Sequence, residues 1–526
     1  MPGTLGAAAI AFVIGLALVL LGPPPGDLPA HLYRTELVRD GVFVWDTFWY
    51  AGHYPLISYS LLYYFPAAVV GNDLVALVSV VAATALFASL ARREWGEAAL
   101  WPSRAFAVVA CAPLFTGTYP YAAGFAAGLG ALKALQLGRP WLAAGLAVLT
   151  LGLSPLAFLF LCLAAVAAFL GRRTRFERTA VGVGSMLLAL GLLQGALLVV
   201  YPEDAEYPFF RLDELLLVLV LSAVCAALAL RAERGRTLAA LFVLWAVATV
   251  VAFAVPSPIG ENVTRLRGIV LPLALLAAAV AAYRPRWLAG LAVAGALAYT
   301  LIPYVGAALH RGDTRSAEAS FWEPALDFLE KRWSPDYRVE VVPSGDHWEA
   351  YRFPRAGFPL ARGWYRQLDI AQNPLFYEEP LEPEAYRAWL EAMGVRWVLL
   401  PHTQLGRVGE EREAELLRSG RAGLEEVGAA GDVTVYEVPD ATPILTGPAE
   451  AHLTALGHDR VEGDVAGAGK YRLAIRWTPT WRVEAGEICL REASDGMTEV
   501  VADAAGPFVL GVSMFPKAPG CPSAAR

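Results

Sequence analysis

The sequence predicts a polytopic α-helical membrane protein of about 11 transmembrane helices, with an exported C-terminal domain that joins an α/β unit to a β-sandwich. Three observations predict it. The 526-residue chain is 56% hydrophobic and only 17% charged, against about 25% charged in ordinary soluble domains. The deficit is one-sided: residues 1–309 hold 19 Lys+Arg and 15 Asp+Glu, or 11% charged, whereas 310–526 hold 23 and 34, or 26%. Finally, apolar runs of near 20 residues fill the first part and short alternating runs fill the second. The expected division is a transmembrane domain over 1–309, an α/β domain over 310–440 and a β-sandwich over 441–526.

Runs able to cross about 30 Å of hydrocarbon lie at 5–22, 73–91, 103–118, 121–137, 179–200, 213–231, 237–255, 266–283 and 287–307. The first run lacks a basic flank, and Pro23-Pro24-Pro25 stands where a signal-peptide cleavage site would lie, so it reads as a retained helix. The stretch 140–170 is interrupted by Ser154-Pro155, and proline breaks the helical hydrogen-bond ladder, which predicts two short helices in a hairpin. The count is then 11. Fourteen of the 19 basic residues, including Arg92, Arg93, Arg139, Arg172, Arg173, Arg175, Arg284 and Arg286, fall on one set of joints. Eleven of the 15 acids, including Asp27, Asp46, Glu203, Asp204 and Glu261, fall on the other. The basic set marks the cytoplasm, so a multi-pass plasma-membrane protein is expected, with a cytoplasmic N-terminus and an extracytoplasmic C-terminal domain.

In the second part, helical patterns at 323–332 and 384–393 alternate with extended runs at 337–343, 395–401 and 433–438. From about 445 onward, alternating runs at 471–477, 487–492, 498–502 and 507–514 fit a β-sandwich. Cys111, Cys162 and Cys225 lie in spans as packing residues, while a bond between Cys489 and Cys521 suits an oxidising compartment.

The charge balance disfavours a nucleic-acid binder. No G-x-x-x-x-G-K-[ST], H-E-x-x-H, paired C-x-x-C or G-x-S-x-G motif occurs, which removes the common ATPase, zincin, zinc-ribbon and serine-hydrolase readings. What remains lies on the outer joints. Asp27, His31 and Arg34 open the long joint 22–60, where a helix starting near Pro29 brings them onto adjoining turns. Asp27 reads equally as a helix cap or as a general base, or as a metal ligand beside Asp46 and a histidine. Asp46, Tyr50 and His53 follow within Trp45-Asp46-Thr47-Phe48-Trp49-Tyr50-Ala51-Gly52-His53-Tyr54. Rings there can stack on sugar faces, although most are expected in the interfacial belt. A late outer joint carries Glu261, Asn262, Arg265 and Arg267. Guanidinium groups hold phosphate bidentately or else snorkel to headgroups. The segment 347–369, with His347, Glu349, Arg362 and Asp369, reads as a docking stretch or an acceptor site.

The pattern Gly26-Asp27-x-x-x-His31-x-x-Arg34 after the first span, the long first outer joint, the arginine-bearing late joint and the exported C-terminal domain together resemble the GT-C superfamily of membrane glycosyltransferases. More narrowly, 27–52, 259–272 and 347–369 resemble actinobacterial membrane proteins described as 6-pyruvoyl-tetrahydropterin synthase-related, a label that says nothing of their chemistry. The resemblance implies a sugar transferase using a polyprenyl-phosphate sugar donor and a cell-envelope glycan, lipid or protein acceptor, with membrane lipids around it. It implies Asp27 as catalytic base and Arg265 or Arg267 as phosphate ligand, with His31, Arg34, Asp46, Tyr50, His53, Glu261 and Asn262 around the substrates. The first joint lacks the adjacent acidic pair of the family, so the resemblance leaves a divalent metal cofactor open. A non-catalytic envelope-assembly scaffold is the main rival, and a lipid-linked sugar flippase a weaker one, because few charges lie inside the spans.

Overall fold

The computed structural model describes residues 2–57, 59–171, 177–202, 206–310, 315–406, 409–516 and 521. Arg172, Arg173 and Arg175 of the basic joints, and Glu203 and Asp204 of the acidic ones, lie outside the described residues. The chain forms two compact units, Met1–Pro25 with Tyr59–Val199 and Ala205–Arg311, and Gly26–Ser58 with Val200–Asp204 and Gly312–Arg526.

The first unit is helical, as a chain in hydrocarbon must satisfy its own backbone. Its long helical stretches are Pro2–Leu21, Asn72–Trp95, Tyr119–Gln136, Glu177–Val200, Leu212–Ala229, Arg236–Ala254, Gly260–Val280 and Arg286–His310. Among the described residues, seven helical stretches are long and apolar enough to cross a membrane. The difference from 11 has a physical origin. Asn72–Thr116 counts once, although a 3₁₀ turn at Gly96–Ala99 divides it into two of the runs. Tyr119–Gln136 carries Tyr119, Pro120 and Tyr121 at its start and Lys133 and Gln136 at its end, which lower its hydropathy, and its Gly124 packs closely, since a Cβ there would lie 2.8 Å from that of Ser154. Pro140–Leu153 and Pro155–Gly171 have 14 and 17 residues, which at 1.5 Å per residue fall short of about 30 Å.

The break between those two helices falls where proline puts it. Ser154 is extended (φ −162°, ψ 112°), the conformation a following proline favours. Its hydroxyl accepts the Ala157 amide at 3.3 Å as a cap. The carbonyls released at the end of the first helix are not stranded: Leu62 N donates to Gly152 O at 2.9 Å and Ser60 Oγ to Leu153 O at 2.8 Å. The core of this unit gathers Val218, Phe242, Trp245, Val263, Val270, Ala274 and Ala292.

The second unit holds three sheets. The first has the order Arg338–Val341, Val395–Pro401, Val433–Glu437, Glu425–Ala430; its first pair is parallel and the other two antiparallel. Helices Ala319–Glu330, Pro383–Met393 and Glu410–Arg418 accompany it, so the expected α/β pattern is present. The other two sheets form the β-rich end: Ile488–Glu492, Met497–Ala502, Gly469–Arg476, Leu445–Thr446 in one, and Ala451–Leu456, Val461–Val465, Gly506–Val512, Trp481–Ala485 in the other. Cys489 and Cys521 are joined by a disulfide.

The segment Gly26–Ser58, expected as an outer loop at the membrane face, is an integral part of this second unit. It forms the helix Leu28–Arg39, then a tight turn with Tyr50 and Ala51 both at φ 58°. The segment 347–369 receives it: Trp49 Nε1 donates to Ala350 O at 2.9 Å, Leu360 N to Phe48 O at 2.8 Å, and Tyr351 Oη to Glu36 Oε1 at 3.0 Å. The aromatic-belt expectation is therefore corrected for this stretch. Trp45, Phe48, Trp49, Tyr50 and Tyr54 are buried, because their rings fill the core between this segment and the rest of its unit. Exposed tryptophans suited to a belt occur in the first unit instead, Trp101, Trp141 and Trp287, close in sequence to Arg104, Arg139 and Arg286.

Candidate functional site

The residues singled out in the sequence fall into two groups, one in each unit. In the second unit Asp27 stands half-buried at the N-cap of Leu28–Arg39, and its side chain makes no capping hydrogen bond to the first amides. The residues that follow it are closed off: His31, Arg34, Asp46, Tyr50 and His53 are all buried.

Asp46 is the hub. It is fully buried, and its carboxylate accepts Tyr33 Oη at 2.8 Å on Oδ2, with the Phe48 amide at 3.1 Å and His458 Nδ1 at 2.9 Å on Oδ1. His53 Nδ1 stands 3.5 Å from Oδ2, and the Asp46 and His53 backbones exchange hydrogen bonds at 3.0 Å. Burial by itself would raise the Asp46 carboxyl, but the hydrogen bond and charge of His458, then His53 and the Tyr33 hydroxyl, outweigh it and hold the group below its usual range. Burial opposes charge on His458 as well, yet the Asp46 hydrogen bond and charge raise it above 6.5. His53 goes the other way: burial, only partly offset by Asp46, pulls it down to about 4. The hub thus pairs Asp46 with one imidazole that favours its proton and one that does not.

Aromatic rings hold the rest. Arg34 lies over the rings of Trp49 and Tyr365, at 5.9 Å and 5.3 Å from their centroids. His53 stacks on Trp49 at 5.5 Å. Tyr50 Oη donates to Gly363 O at 2.7 Å and accepts from Tyr365 N at 2.8 Å. His458 was not singled out in the sequence; it comes from the turn between Ala451–Leu456 and Val461–Val465, and no local motif marks it. Among the described residues no three His, Cys, Asp or Glu side chains are grouped to hold a metal ion.

The second group lies in the first unit. Gly260–Leu266 forms a 3₁₀ helix that runs into Arg267–Val280. Gly260 is obligatory at its start, since its φ is +42° and a Cβ would meet Tyr207 O at 1.6 Å. Trp245 Nε1 donates to Val263 O at 3.0 Å and anchors the segment. Arg267 pairs with Glu214 at 3.2 Å, Glu214 also accepts Tyr299 Oη at 2.6 Å, and Glu261 lies 3.9 Å from Arg211. Asn262 and Arg265 are half-buried. Glu214 is one of the eleven acids on the outer joints, and nothing local marks it, because a carboxylate in the first turn of a helix is ordinary.

Beside this group the first unit contains a cavity of about 570 Å³. Leu266, Ile269, Leu273 and Leu276 line it along one helical face, Phe87, Leu129 and Phe160 contribute from other helices, and Glu94, Trp95, Gln136 and Thr237 line it where their helices approach the basic joints. From Leu266 to Leu276 the rise is roughly 15 Å. The wall is almost wholly apolar, and it begins one residue after Arg265.

No family model and no curated protein matches the chain. Among solved structures the chain is similar to ArnT from Cupriavidus metallidurans bound to undecaprenyl phosphate, at 12% sequence identity over 84% of this chain and 98% of that one, with a TM-score of 0.39.

Proposed function

We propose that the chain is an integral membrane glycosyltransferase of the GT-C type, which moves a sugar from a polyprenyl-phosphate donor to an envelope glycan, lipid or protein acceptor on the outer face of the plasma membrane. One observation carries the reading: an apolar cavity of about 570 Å³ walled along one face of Arg267–Val280, the helix that follows Arg265 in the chain. Isoprenoid carbon suits such a wall, and a guanidinium suits the phosphate at its head. The sorting of basic and acidic joints supports a cytoplasmic N-terminus and an extracytoplasmic second unit.

In the proposed reaction Asp27 takes the proton of the acceptor hydroxyl. The freed oxygen attacks the anomeric carbon, the bond from that carbon to the phosphate oxygen breaks, and the lipid phosphate leaves with its charge held by arginine. A single displacement of this kind inverts the anomeric centre. Asp27 suits the role better than Asp46, because Asp27 is half-buried while Asp46 is enclosed.

The scaffold reading draws on one observation of its own, the burial of His31, Arg34, Asp46, Tyr50 and His53, which suits packing and positioning roles. Purified protein offered a panel of polyprenyl-phosphate sugars separates the two. Transfer that disappears in Asp27→Asn supports the enzyme; folded protein that transfers none of the sugars, or Asp27→Asn working at the wild-type rate, refutes the reading or its base.

A further inference from the structure

Three parallel segments lie side by side in the α/β part of the second unit. Arg338–Val341 pairs with Val395–Pro401 on one side. On the other, Val339 N donates to Pro359 O at 3.0 Å and Ala361 N donates to Val339 O at 2.9 Å. Open α/β sheets bind ligands outside the carboxyl ends of such strands. The joints that leave two of these ends are tied together, Gly345 N to Gln404 O at 2.7 Å and Gly406 N to Pro343 O at 3.1 Å. Ser344 and His347 follow Arg338–Val341, with Glu349 opening the next helix, and Trp364 follows the stretch 359–361.

These four side chains form one cluster. Glu349 is buried; its Oε2 accepts Ser344 Oγ at 2.5 Å and its Oε1 faces His347 Nδ1 at 3.3 Å. Trp364 stacks on the His347 ring at 3.7 Å, with 15° between the planes. His347 has a φ of 55°, a left-handed conformation that costs free energy in a residue with a side chain and gathers at functional sites. The carboxylate favours the tautomer protonated on Nδ1, which leaves Nε2 as an acceptor. Nδ1 is enclosed, whereas Nε2 is not and has no hydrogen-bond partner among the described residues; the same holds for the indole Nε1 of half-buried Trp364. The stacked rings therefore offer one acceptor and one donor. Among the described residues no Arg or Lys stands within ion-pair distance of Glu349, so the charge fixed behind the rings is a carboxylate, which disfavours an anionic ligand.

We propose that His347 and Trp364 form a carbohydrate-binding site on the second unit, which takes a neutral sugar through two hydroxyls, one donating to His347 Nε2 and one accepting from Trp364 Nε1. Glu349 is a positioning residue: it fixes the tautomer of the imidazole while Ser344 holds its other oxygen. The site rests on neither the lipid donor nor Asp27, so failure of the proposed transfer leaves it standing.

The test measures binding of labelled dextran, mannan and galactan to the purified full chain in nanodiscs, with polygalacturonate as the anionic arm. Wild type binds at least one neutral glycan, and binds it more tightly than polygalacturonate. Asparagine tolerates a positive φ, so His347→Asn melts as wild type does, and it loses about tenfold in affinity with the acceptor gone. Trp364→Phe keeps a ring for His347 to stack on, removes the donor, and also loses about tenfold. Diethyl pyrocarbonate gives a second readout, since it modifies accessible imidazole nitrogens: bound glycan slows modification of His347 and leaves exposed His452 unchanged. Glu349→Gln alters the rate at His347 relative to His452, a change that a merely structural glutamate would not produce. Folded wild type that binds no neutral glycan overturns the site, as does His347→Asn binding like wild type or His347 reacting equally fast with and without glycan. Trp364→Phe binding like wild type overturns the donor, tighter binding of polygalacturonate overturns the neutral class, and an unchanged rate in Glu349→Gln overturns the positioning role.

Discussion

The imidazole of His458 holds its Nδ1 2.9 Å from Oδ1 of Asp46, a carboxylate 412 residues earlier in the chain. Two hydrogen bonds to backbone carbonyls run beside it, one from the Thr47 amide to His458 O at 2.8 Å and one from the Thr47 hydroxyl to Gly457 O at 2.7 Å. The segment that follows Asp27 is therefore fastened to the β-sandwich by one ion pair and a short strip of hydrogen bonds.

That fastening gives stability a pH dependence with two limbs. The folded-state value of His458 is raised above 6.5, so its contribution is present below 6.5 and is lost as pH rises through the raised value. His53 is lowered from 6.5 to about 4, so its contribution is present above 6.5 and is lost as pH falls towards 4, a change of about 3 kcal/mol. Asp46 is lowered from 3.8 and adds its loss only at more acid pH. Tyr33, Arg34, Asp40 and Asp459 complete the charged and titratable surroundings. The hub's own contribution to stability should peak near pH 6.5. His458→Gln should flatten the alkaline limb and His53→Gln the acid one, read by thermal scans from pH 4 to 9; limbs that persist in these variants would disprove the assignment.

A second buried network lies in the α/β part. Arg362 bonds Glu340 at 2.8 Å and Glu413 at 2.5 Å and lies 3.8 Å from Asp369, all buried. Burial raises Glu340 well above the usual carboxylate range despite Arg362, and raises Glu413 as well. A carboxyl raised in the folded state weakens stability as pH climbs past its unfolded value. Arg362→Met should cost about 3 to 5 kcal/mol, because it strands carboxylates without their cation. Glu340→Gln should cost little, or stabilise at pH 8, since Oε2 of Glu340 has no hydrogen-bond partner among the described residues. Denaturation of the two variants at pH 6 and pH 8 checks the asymmetry.

These two networks show where sequence reasoning reaches and where it stops. Hydrocarbon thickness forces long apolar runs, so the helices from Pro2–Leu21 to Arg286–His310 were legible, and so was the break at Ser154-Pro155. Alternation made Gly469–Arg476 and Gly506–Val512 legible. Ala451–Leu456 was missed because a register shift between Leu453 and Ala455 interrupts its alternation, and Val461–Val465 because its inward Gly463 carries no apolar signal. His31, Arg34, Asp46, Tyr50 and His53 could be picked out together because they are near in sequence. His458, and the pairing of Arg362 with Glu340 and Glu413, arise from long-range packing that no local spacing announces. The rings around Trp49 were expected at the membrane surface because composition alone cannot separate an interfacial ring from a core one.

The packing of Gly363 offers a steric test of the first segment's place. A Cβ there would lie 2.4 Å from Cγ of Trp49, too close for any side chain. Gly363→Ala should force Trp49 aside and cost about 1 to 3 kcal/mol. Trp49 fluorescence is masked by the other tryptophans, so the readout is protease sensitivity within 26–58 together with melting temperature. An unchanged digestion pattern would mean that the segment is not held there.

Asp27 and Asp46 should separate cleanly by substitution. Asp46 accepts Tyr33, Phe48 and His458 in a closed interior, so Asp46→Asn removes the charge that His458 needs and should lower stability by about 2 to 4 kcal/mol. Asp27 is half-buried and its side chain caps no amide of the helix it precedes. Asparagine is as good an N-cap residue as aspartate, so Asp27→Asn should change stability by less than about 0.5 kcal/mol. Sugar transfer should follow the opposite order relative to stability: Asp27→Asn stays folded and inactive, by a factor of 100 or more for loss of a general base, while the residual folded Asp46→Asn retains turnover. Melting temperature and turnover measured on the same preparations decide it. An Asp27→Asn protein that melts as early as Asp46→Asn would make Asp27 a structural residue.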